Sequence, residues 1–279
     1  LIDLIEGIAF LRADDIAKKL GFALNSEVRL IALIHYVLKT LIYQTGNSYV
    51  EFDELLEKSL LFANTESDVL NKELFCNYLD VLKNQKKIIV DENNCIYDYF
   101  VFYDEINVGK SISNILKQTN KDYKFDRIPQ IINEVMEANN IVYSDKQKEA
   151  IEKALKEPIV IITGGPGTGK STVIKGIVEA YSNLFNKKDL IKNQIYLVAP
   201  TGRASKRLKE VTNHFNACTI HKLLGYQGNG RFSALDEGPI KAKMIIIDEF
   251  SMVDINLASI LFKCILPDTK IVIVGDVDQ

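Results

Sequence analysis

Residues 158–171 hold the feature that most constrains this chain, an apolar run that leads directly into a glycine-rich loop. The segment reads PIVIITGGPGTGKS and satisfies the pattern GxxxxGK[ST] from Gly164 to Ser171. A helix-forming stretch, TVIKGIVEA, follows at once. A buried strand before the loop and a helix after it are the context that this phosphate-binding motif requires. The segment therefore predicts a strand–loop–helix unit that surrounds the phosphates of a nucleotide.

The residue types of this loop suit that chemistry. Glycines let the backbone approach phosphate oxygens closely and point its N–H groups at them. The N-terminus of the following helix adds positive potential. We expect Lys170 to reach the β- and γ-phosphates of ATP and Ser171 to offer its hydroxyl to Mg²⁺. The predicted ATP-binding residues of the loop are Gly164, Gly165, Gly167, Thr168, Gly169, Lys170, Ser171 and Thr172.

Two carboxylates follow a later apolar run, MIII at 244–247. Asp248 comes where that run ends, and ligands bind at the ends of strands in α/β sheets. We expect Asp248 to hold the Mg²⁺ that Ser171 also contacts. Glu249 is the next residue and is predicted to polarise the water that attacks the γ-phosphate. An Asp-Glu pair alone is a weak signal, but it becomes a strong one after a phosphate loop and an apolar strand.

The pattern of apolar runs predicts the fold class of the second half. These runs are short, β-branched and without strict alternation, as is typical of strands buried on both faces of a parallel sheet. They lie at 158–163, 195–199, 244–247 and 270–274. Helical stretches separate them, so we predict an α/β domain.

The first half is predicted to be mainly helical. Helices are expected at 26–45, near 51–62 and near 66–84, and Ser26 is a candidate N-cap. Two β-rich runs flank Asp91–Asn94 within KKIIVDENNCIYDYFVFYDE, which indicates a hairpin. Helices followed by a hairpin resemble a winged-helix module. The polar segment TNKDYKFDRI, at 119–128, is interpreted as a linker.

Gln147 has two interpretations. Ser144 and Gln147 fit the capping box S-x-x-Q at the start of a helix. The amide of Gln147 could also face an adenine ring, and spacing alone favours the capping box.

Six segments occur in the order found in superfamily-one helicases. They read QKEAI, GGPGTGKST, VAPTGRASKRL, TIHKLLGY, IIIDEFSMVD and VGDVDQ. The combination most closely resembles RecD-like DNA helicases, a group similar to the alpha subunit of exodeoxyribonuclease V. The resemblance is specific over 128–279 and looser over 1–120.

The resemblance implies further roles. Gln147 would read adenine, and Gln279 would join Lys170, Asp248 and Glu249 as a catalytic residue that contacts the γ-phosphate. The residues implied to bind DNA are Pro200, Thr201, Gly202, Arg203, Thr219, His221 and Lys222. The family would bind ATP and Mg²⁺ and move 5′ to 3′ on single-stranded DNA, unwinding tailed duplexes.

The resemblance also implies a division into domains. These are a helix-hairpin-helix-like segment at 1–24, a winged-helix-like module at 25–103, a helix and linker at 104–127, and a first RecA-like ATPase domain at 128–279. The second motor domain would be absent, because the chain is expected to be truncated after motif III, the segment VGDVDQ. The family's turn Gly-Ile-Gly is Gly7-Ile8-Ala9 here, which puts direct DNA contact by this turn in doubt.

Composition limits where nucleic acid can bind. The formal net charge is −3, so a DNA surface must be local. A basic patch of Arg203, Lys206, Arg207 and Lys209 suits phosphate contact, and equally suits a solvated helix. Tyr226 could stack on a base, although a packed tyrosine is favoured.

The remaining expectations concern cellular context. The four cysteines form no CxxC pair and are expected to be free thiols. We expect a cytoplasmic, monomeric protein without a membrane segment. Two other functions stay open: a DNA-stimulated ATPase or translocase that does not unwind, and an accessory DNA-binding subunit of a nuclease complex.

Overall fold

A computed structural model of the chain describes residues 10–65, 67–118, 125–185, 194–213 and 217–276. The chain divides into two compact units, Leu1–Ile106 and Asn107–Gln279. The turn at Gly7–Ala9 and the proposed catalytic Gln279 lie outside the described residues. In the described part of the chain, no helix is long and apolar enough to cross a membrane.

The first unit is mainly helical. Its helices are α1 (Phe10–Lys19), α2 (Glu27–Thr45), α3 (Phe52–Ala63), α4 (Lys72–Asn84) and the start of α5 (Tyr99–Leu116). Its strands are β1 (Tyr49–Glu51), β2 (Ile88–Val90) and β3 (Cys95–Asp98), which form an antiparallel sheet in the order β1-β3-β2. The apolar positions of α2 at helical spacing are predicted to face the core. Leu30, Leu33 and Val37 are buried there, and Leu41 is only partly buried against it.

Two predictions for this unit are wrong in detail. The helix predicted near 66–84 begins only at Lys72, because the Asn64 side chain accepts hydrogen bonds from the N–H groups of Val69 and Leu70 and Asn71 then caps the helix. The second β-rich run ends at Asp98. The carboxylate of Asp98 accepts a hydrogen bond from the Phe100 N–H, so YFVFYDE is the first part of α5.

The second unit has the predicted α/β architecture. Its remaining helices are α6 (Ile128–Asn139), α7 (Asp145–Lys156), α8 (Lys170–Leu184), α9 (Gly202–Thr212), α10 (Ile220–Leu223), α11 (Ala234–Glu237) and α12 (Ile255–Lys263). Its strands are β4 (Ile159–Thr163), β5 (Ile195–Ala199), β6 (Ala217–Thr219), β7 (Tyr226–Gly228), β8 (Arg231–Phe232), β9 (Met244–Ile247) and β10 (Lys270–Gly275). Single 3₁₀ turns occupy Phe125–Arg127 and Phe250–Met252.

Five of these strands form one parallel sheet in the order β4-β10-β9-β5-β6. Strands β7 and β8 form a separate two-stranded ribbon. The four predicted strands are confirmed, but burial on both faces is wrong for β4, where Ile161 is 67% exposed. Among the described residues β4 pairs with β10 alone, so it lies at the edge of the sheet.

Both faces of the sheet carry helices. One core contains Ile174 and Ile177 of α8 together with Ile128 of α6 and Leu155 of α7. The core on the opposite face contains Leu261 of α12 with other buried apolar residues. The sheet and its flanking helices thereby fix the loops at the ends of the strands.

Lys270 is a buried cation at the start of β10, only 3% exposed. Its ammonium donates hydrogen bonds to the carbonyl oxygens of Lys156 (3.1 Å) and Glu157 (2.9 Å) at the end of α7. Burial lowers the pKa of Lys270 to about 8, and the charge of Glu157 offsets this only in part. Since the unfolded chain binds this proton more tightly, Lys270 favours folding more as pH rises from 8 toward its ordinary pKa.

We therefore expect wild type to gain stability relative to Lys270→Met as pH rises. The free energy of unfolding of wild type minus that of Lys270→Met should increase by about 2 kcal/mol from pH 7 to pH 10. Urea unfolding of both proteins at the two pH values measures it, and other titrating groups cancel in the difference. Lys263→Met, at an exposed position, is the control. A difference that does not change with pH would show that the Lys270 amine titrates normally.

Candidate functional site

The predicted motif residues lie at one edge of the parallel sheet. Parallel strands share the direction of the chain, so their carboxyl ends meet at a common edge. Register places Thr163 of β4 beside Gly275 of β10, and Ala199 of β5 beside Thr219 of β6. The phosphate loop, the Asp-Glu pair and the two segments implied to bind DNA all begin within one residue of such a strand end.

The phosphate loop connects β4 to α8 in the predicted way. Gly167 and Gly169 adopt φ values of +78° and +84°, a region that favours glycine. The Thr168 hydroxyl donates a hydrogen bond to the Gly165 carbonyl (2.9 Å). The Lys170 ammonium donates to the carbonyls of Gly164 (2.5 Å) and Gly165 (3.0 Å). This ammonium thus joins the beginning of the loop to the first residue of α8.

Gln147 takes part in the capping box and also contacts the loop. The Ser144 N–H donates to Gln147 Oε1 (3.0 Å), and the Gln147 N–H donates to Ser144 Oγ (3.4 Å), which confirms the capping box. The side-chain amide of Gln147 also donates to the Thr168 carbonyl (3.3 Å). A side-chain amide has a second N–H and a second lone pair, so these contacts leave capacity for a base.

Asp248 is buried directly after β9, with 8% of its surface exposed. Its carboxylate accepts a hydrogen bond from the Glu249 N–H (3.0 Å). Burial raises the pKa of Asp248, and the adjacent Glu249 charge adds to the rise. The Glu249 N–H and the charges of Lys170 and Arg207 counteract the rise. The charge of the phosphate-loop lysine therefore favours the charged form of Asp248.

Glu249 has an unusual backbone conformation. Its φ is +54°, in the left-handed region that residues other than glycine seldom adopt. Such strain, of order 1–3 kcal/mol, is concentrated at functional sites. The residue immediately precedes the 3₁₀ turn Phe250–Met252, which fixes its backbone.

The threonines implied to contact DNA begin helices. Thr201 Oγ1 accepts a hydrogen bond from the Ala204 N–H (3.2 Å) at the start of α9, and Thr219 Oγ1 accepts one from the Lys222 N–H (3.1 Å) at the start of α10. This capping role was not predicted, although a threonine just before a helix is its ordinary signal. Each hydroxyl still has its hydrogen to donate.

The charged side chains beyond these caps are accessible. Arg203, His221 and Lys222 are exposed, and Pro200 is half-buried. Lys206 on α9 forms an exposed pair with Glu210 at 4.0 Å, an interaction that contributes little. The basic patch of α9 therefore faces solvent, which both interpretations of that patch require.

Comparison with known proteins supplies the family. The model of the "ATP-dependent RecD2 DNA helicase HHH domain" matches residues 1–49, and that of an "AAA domain" matches residues 147–279. The chain is 28% identical to the RecBCD enzyme subunit RecD of Haemophilus influenzae over 90% of its length. It is 26% identical to the ATP-dependent RecD2 DNA helicase of Deinococcus radiodurans over 99% of its length.

The chain belongs to the RecD-like family. It is also 32% identical, over 81% of its length, to the RecD subunit of Buchnera aphidicola. The RecD-like chain spans 45%, 38% and 41% of these three relatives, in the order given. It thus corresponds to less than half of each.

One group of neighbouring aromatic rings in this RecD-like chain was not predicted from the sequence. His221, Tyr226 and Phe232 form a cluster of rings at the ribbon that follows α10. The sequence carried a signal for this ribbon, since Asn229-Gly230 between two aromatic residues favours a tight hairpin.

Proposed function

We propose that the chain is the nucleotide-binding half of an ATP-dependent DNA helicase. The whole protein would hydrolyse ATP to move 5′ to 3′ on single-stranded DNA and unwind duplex. The observation that carries this proposal is the common sheet edge, where the phosphate loop, the buried carboxylate and the exposed basic segments begin. A change at the nucleotide would reach the residues proposed to contact DNA through this one sheet.

The geometry supports the roles proposed for Lys170 and Glu249, and the family resemblance implies those of Gln147 and Gln279. Lys170 would leave the carbonyls of Gly164 and Gly165 for phosphate oxygens, because an anion is a stronger acceptor than a carbonyl. Glu249, held next to Asp248, would take the proton of the attacking water. Gln147 would read the base, and Gln279 would contact the γ-phosphate.

The chain's own residues fit a magnesium ion. Ser171 and the buried carboxylate Asp248 are hard oxygen donors, and the described residues contain no group of three or more His, Cys, Asp or Glu that could form a fuller metal cage. Few protein ligands suit Mg²⁺, which keeps several waters and binds substrate phosphates. When bound, the ion would neutralise charge on those phosphates.

The DNA roles are proposed for the residues beyond β5 and β6. Pro200, Thr201, Gly202 and Arg203 would contact one stretch of single strand, and Thr219, His221 and Lys222 the next. We assign the first RecA-like domain to 128–279 and the winged-helix-like module to 25–103. A second motor domain would supply the arginine that stabilises the transferred phosphate. The protein would act as a cytoplasmic monomer.

Titration of single-stranded DNA into an ATPase assay of the whole protein tests this function. We expect stimulated hydrolysis that is lost in Lys170→Ala. An accessory DNA-binding subunit would bind DNA without stimulation, and that outcome would contradict the proposal. The isolated 279-residue chain is expected to bind ATP, hydrolyse it slowly and unwind nothing.

A further inference from the structure

We propose that Tyr226 forms a base-stacking site for single-stranded DNA, positioned by Phe232 and His221. This inference rests on the proposed function, because it adds a base contact to the DNA contacts proposed for the residues beyond β5 and β6. The ligand class is an unpaired nucleotide, recognised through the face of its base and not through sequence.

The exposure of the cluster is asymmetric. Phe232 is 7% exposed and belongs to the core on one face of the sheet, whereas Tyr226 is 48% exposed. A tyrosine that merely packs would bury its ring as Phe232 does. Tyr226 instead presents a large apolar surface to solvent beside a segment that the proposed function places on DNA.

The ring geometry leaves Tyr226 suited to stacking. His221 meets Tyr226 edge to face, with centroids 5.3 Å apart and an interplanar angle of 82°. Phe232 lies 5.1 Å from Tyr226 and is tilted by 48°. Neither of these neighbours lies parallel to Tyr226. Since aromatic neighbours support the ring without a parallel stack, a base can provide that stack.

The backbone holds the ring in place. Tyr226 and Phe232 are a cross-strand pair of the ribbon β7–β8. The Ser233 N–H donates to the Gly225 carbonyl and the Ala234 N–H to the Leu224 carbonyl, both at 3.1 Å, so the base of the ribbon is closed. Leu224 is fully buried. Because the ribbon positions the tyrosine before DNA binds, the entropy cost of ordering this side chain on binding is lower.

Exposed cationic side chains lie near Tyr226 in the chain and on the paired strand of the ribbon. Lys222 and Arg231 are both exposed, one just before the ribbon and the other on β8 next to Phe232. An aromatic ring beside cationic side chains is the combination by which proteins hold single strands without sequence preference. Lys222 and Arg231 would contact phosphates, while Tyr226 would contact the base.

The test measures binding of the whole protein to a fluorescently labelled oligothymidine by anisotropy. Tyr226→Ala is expected to weaken binding about tenfold, with an unchanged salt dependence because no phosphate contact is lost. Tyr226→Phe keeps the ring and should restore the affinity. Arg231→Gln should instead lower the salt slope by about one. Leu116→Ala, at an apolar residue 57% exposed at the end of α5, is the control.

Abasic sites provide a readout that a purely structural role would not change. One abasic nucleotide is moved along the oligonucleotide, and wild type should lose affinity when it reaches the stacking position. Tyr226→Ala should be insensitive there. Equal sensitivity of both proteins, or full affinity of Tyr226→Ala, would overturn the stacking site while leaving the ATPase proposal intact. A wild-type protein that binds no single-stranded DNA would overturn both.

Discussion

Glu249→Gln is expected to lower kcat for ATP hydrolysis by about 10²- to 10⁴-fold while ATP affinity changes little. The substitution removes the proton acceptor and keeps the size and hydrogen-bonding shape of the side chain. Its backbone should also persist, because glutamine tolerates φ of +54° about as well as glutamate does. Steady-state hydrolysis and titration with a fluorescent ATP analogue, both on the whole protein, measure the two quantities.

Two variants make this result specific. Lys170→Ala should lose nucleotide affinity as well as turnover, because it removes the charge that binds the phosphates. Glu137→Gln makes the same chemical change on the exposed surface of α6 and should leave both quantities at the wild-type level. Retention of kcat within a few-fold in Glu249→Gln would exclude this residue as the general base.

Gly176→Ala is expected to destabilise the protein by about 3 kcal/mol, the upper end of overpacking costs. Gly176 is buried in α8, and a Cβ there would lie 2.6 Å from Tyr143 Oη and 2.8 Å from Ile151 Cδ1. Tyr143 is itself 3% exposed, so its ring cannot move out toward solvent. The clash outweighs the gain of about 1 kcal/mol that alanine brings to a helix.

Urea unfolding of a matched pair tests this cause. Gly109 lies in the interior of α5, and a Cβ there would meet nothing within 4 Å, so Gly109→Ala should stabilise by about 0.5–1 kcal/mol. Tyr143→Phe removes the nearest atom, so the cost of Gly176→Ala should be smaller in that background. If Gly176→Ala raises the free energy of unfolding as Gly109→Ala does, Tyr143 does not pack closely against α8, and the predicted clash is contradicted.

The nucleotide half of the fold was predictable because its signals are local. The loop pattern, the apolar runs at 195–199 and 244–247 and the Ser144–Gln147 capping box each lie within a few residues of sequence. Each of these signals depends on the residue types within its own segment and not on distant partners. The structure has the two strands at the predicted bounds and the capping box with both of its hydrogen bonds.

The missed features depend on partners distant in sequence. Strand β6 is only Ala217–Thr219, and it is a strand because β5 pairs with it. The exposure of Ile161 follows from the position of β4 in the strand order, which an apolar run does not specify. The bonds from Gln147 to Thr168 and from Lys270 to the end of α7 join segments far apart in sequence.

The polarity of unwinding tests the central proposal most directly. The whole protein is given ATP and two duplexes, one with a 5′ single-stranded tail and one with a 3′ tail, and Lys170→Ala is run beside it. We predict unwinding of the 5′-tailed duplex alone, and none by the variant. Unwinding of neither duplex, while single strands still stimulate hydrolysis, would contradict the helicase proposal and indicate a translocase that does not separate strands.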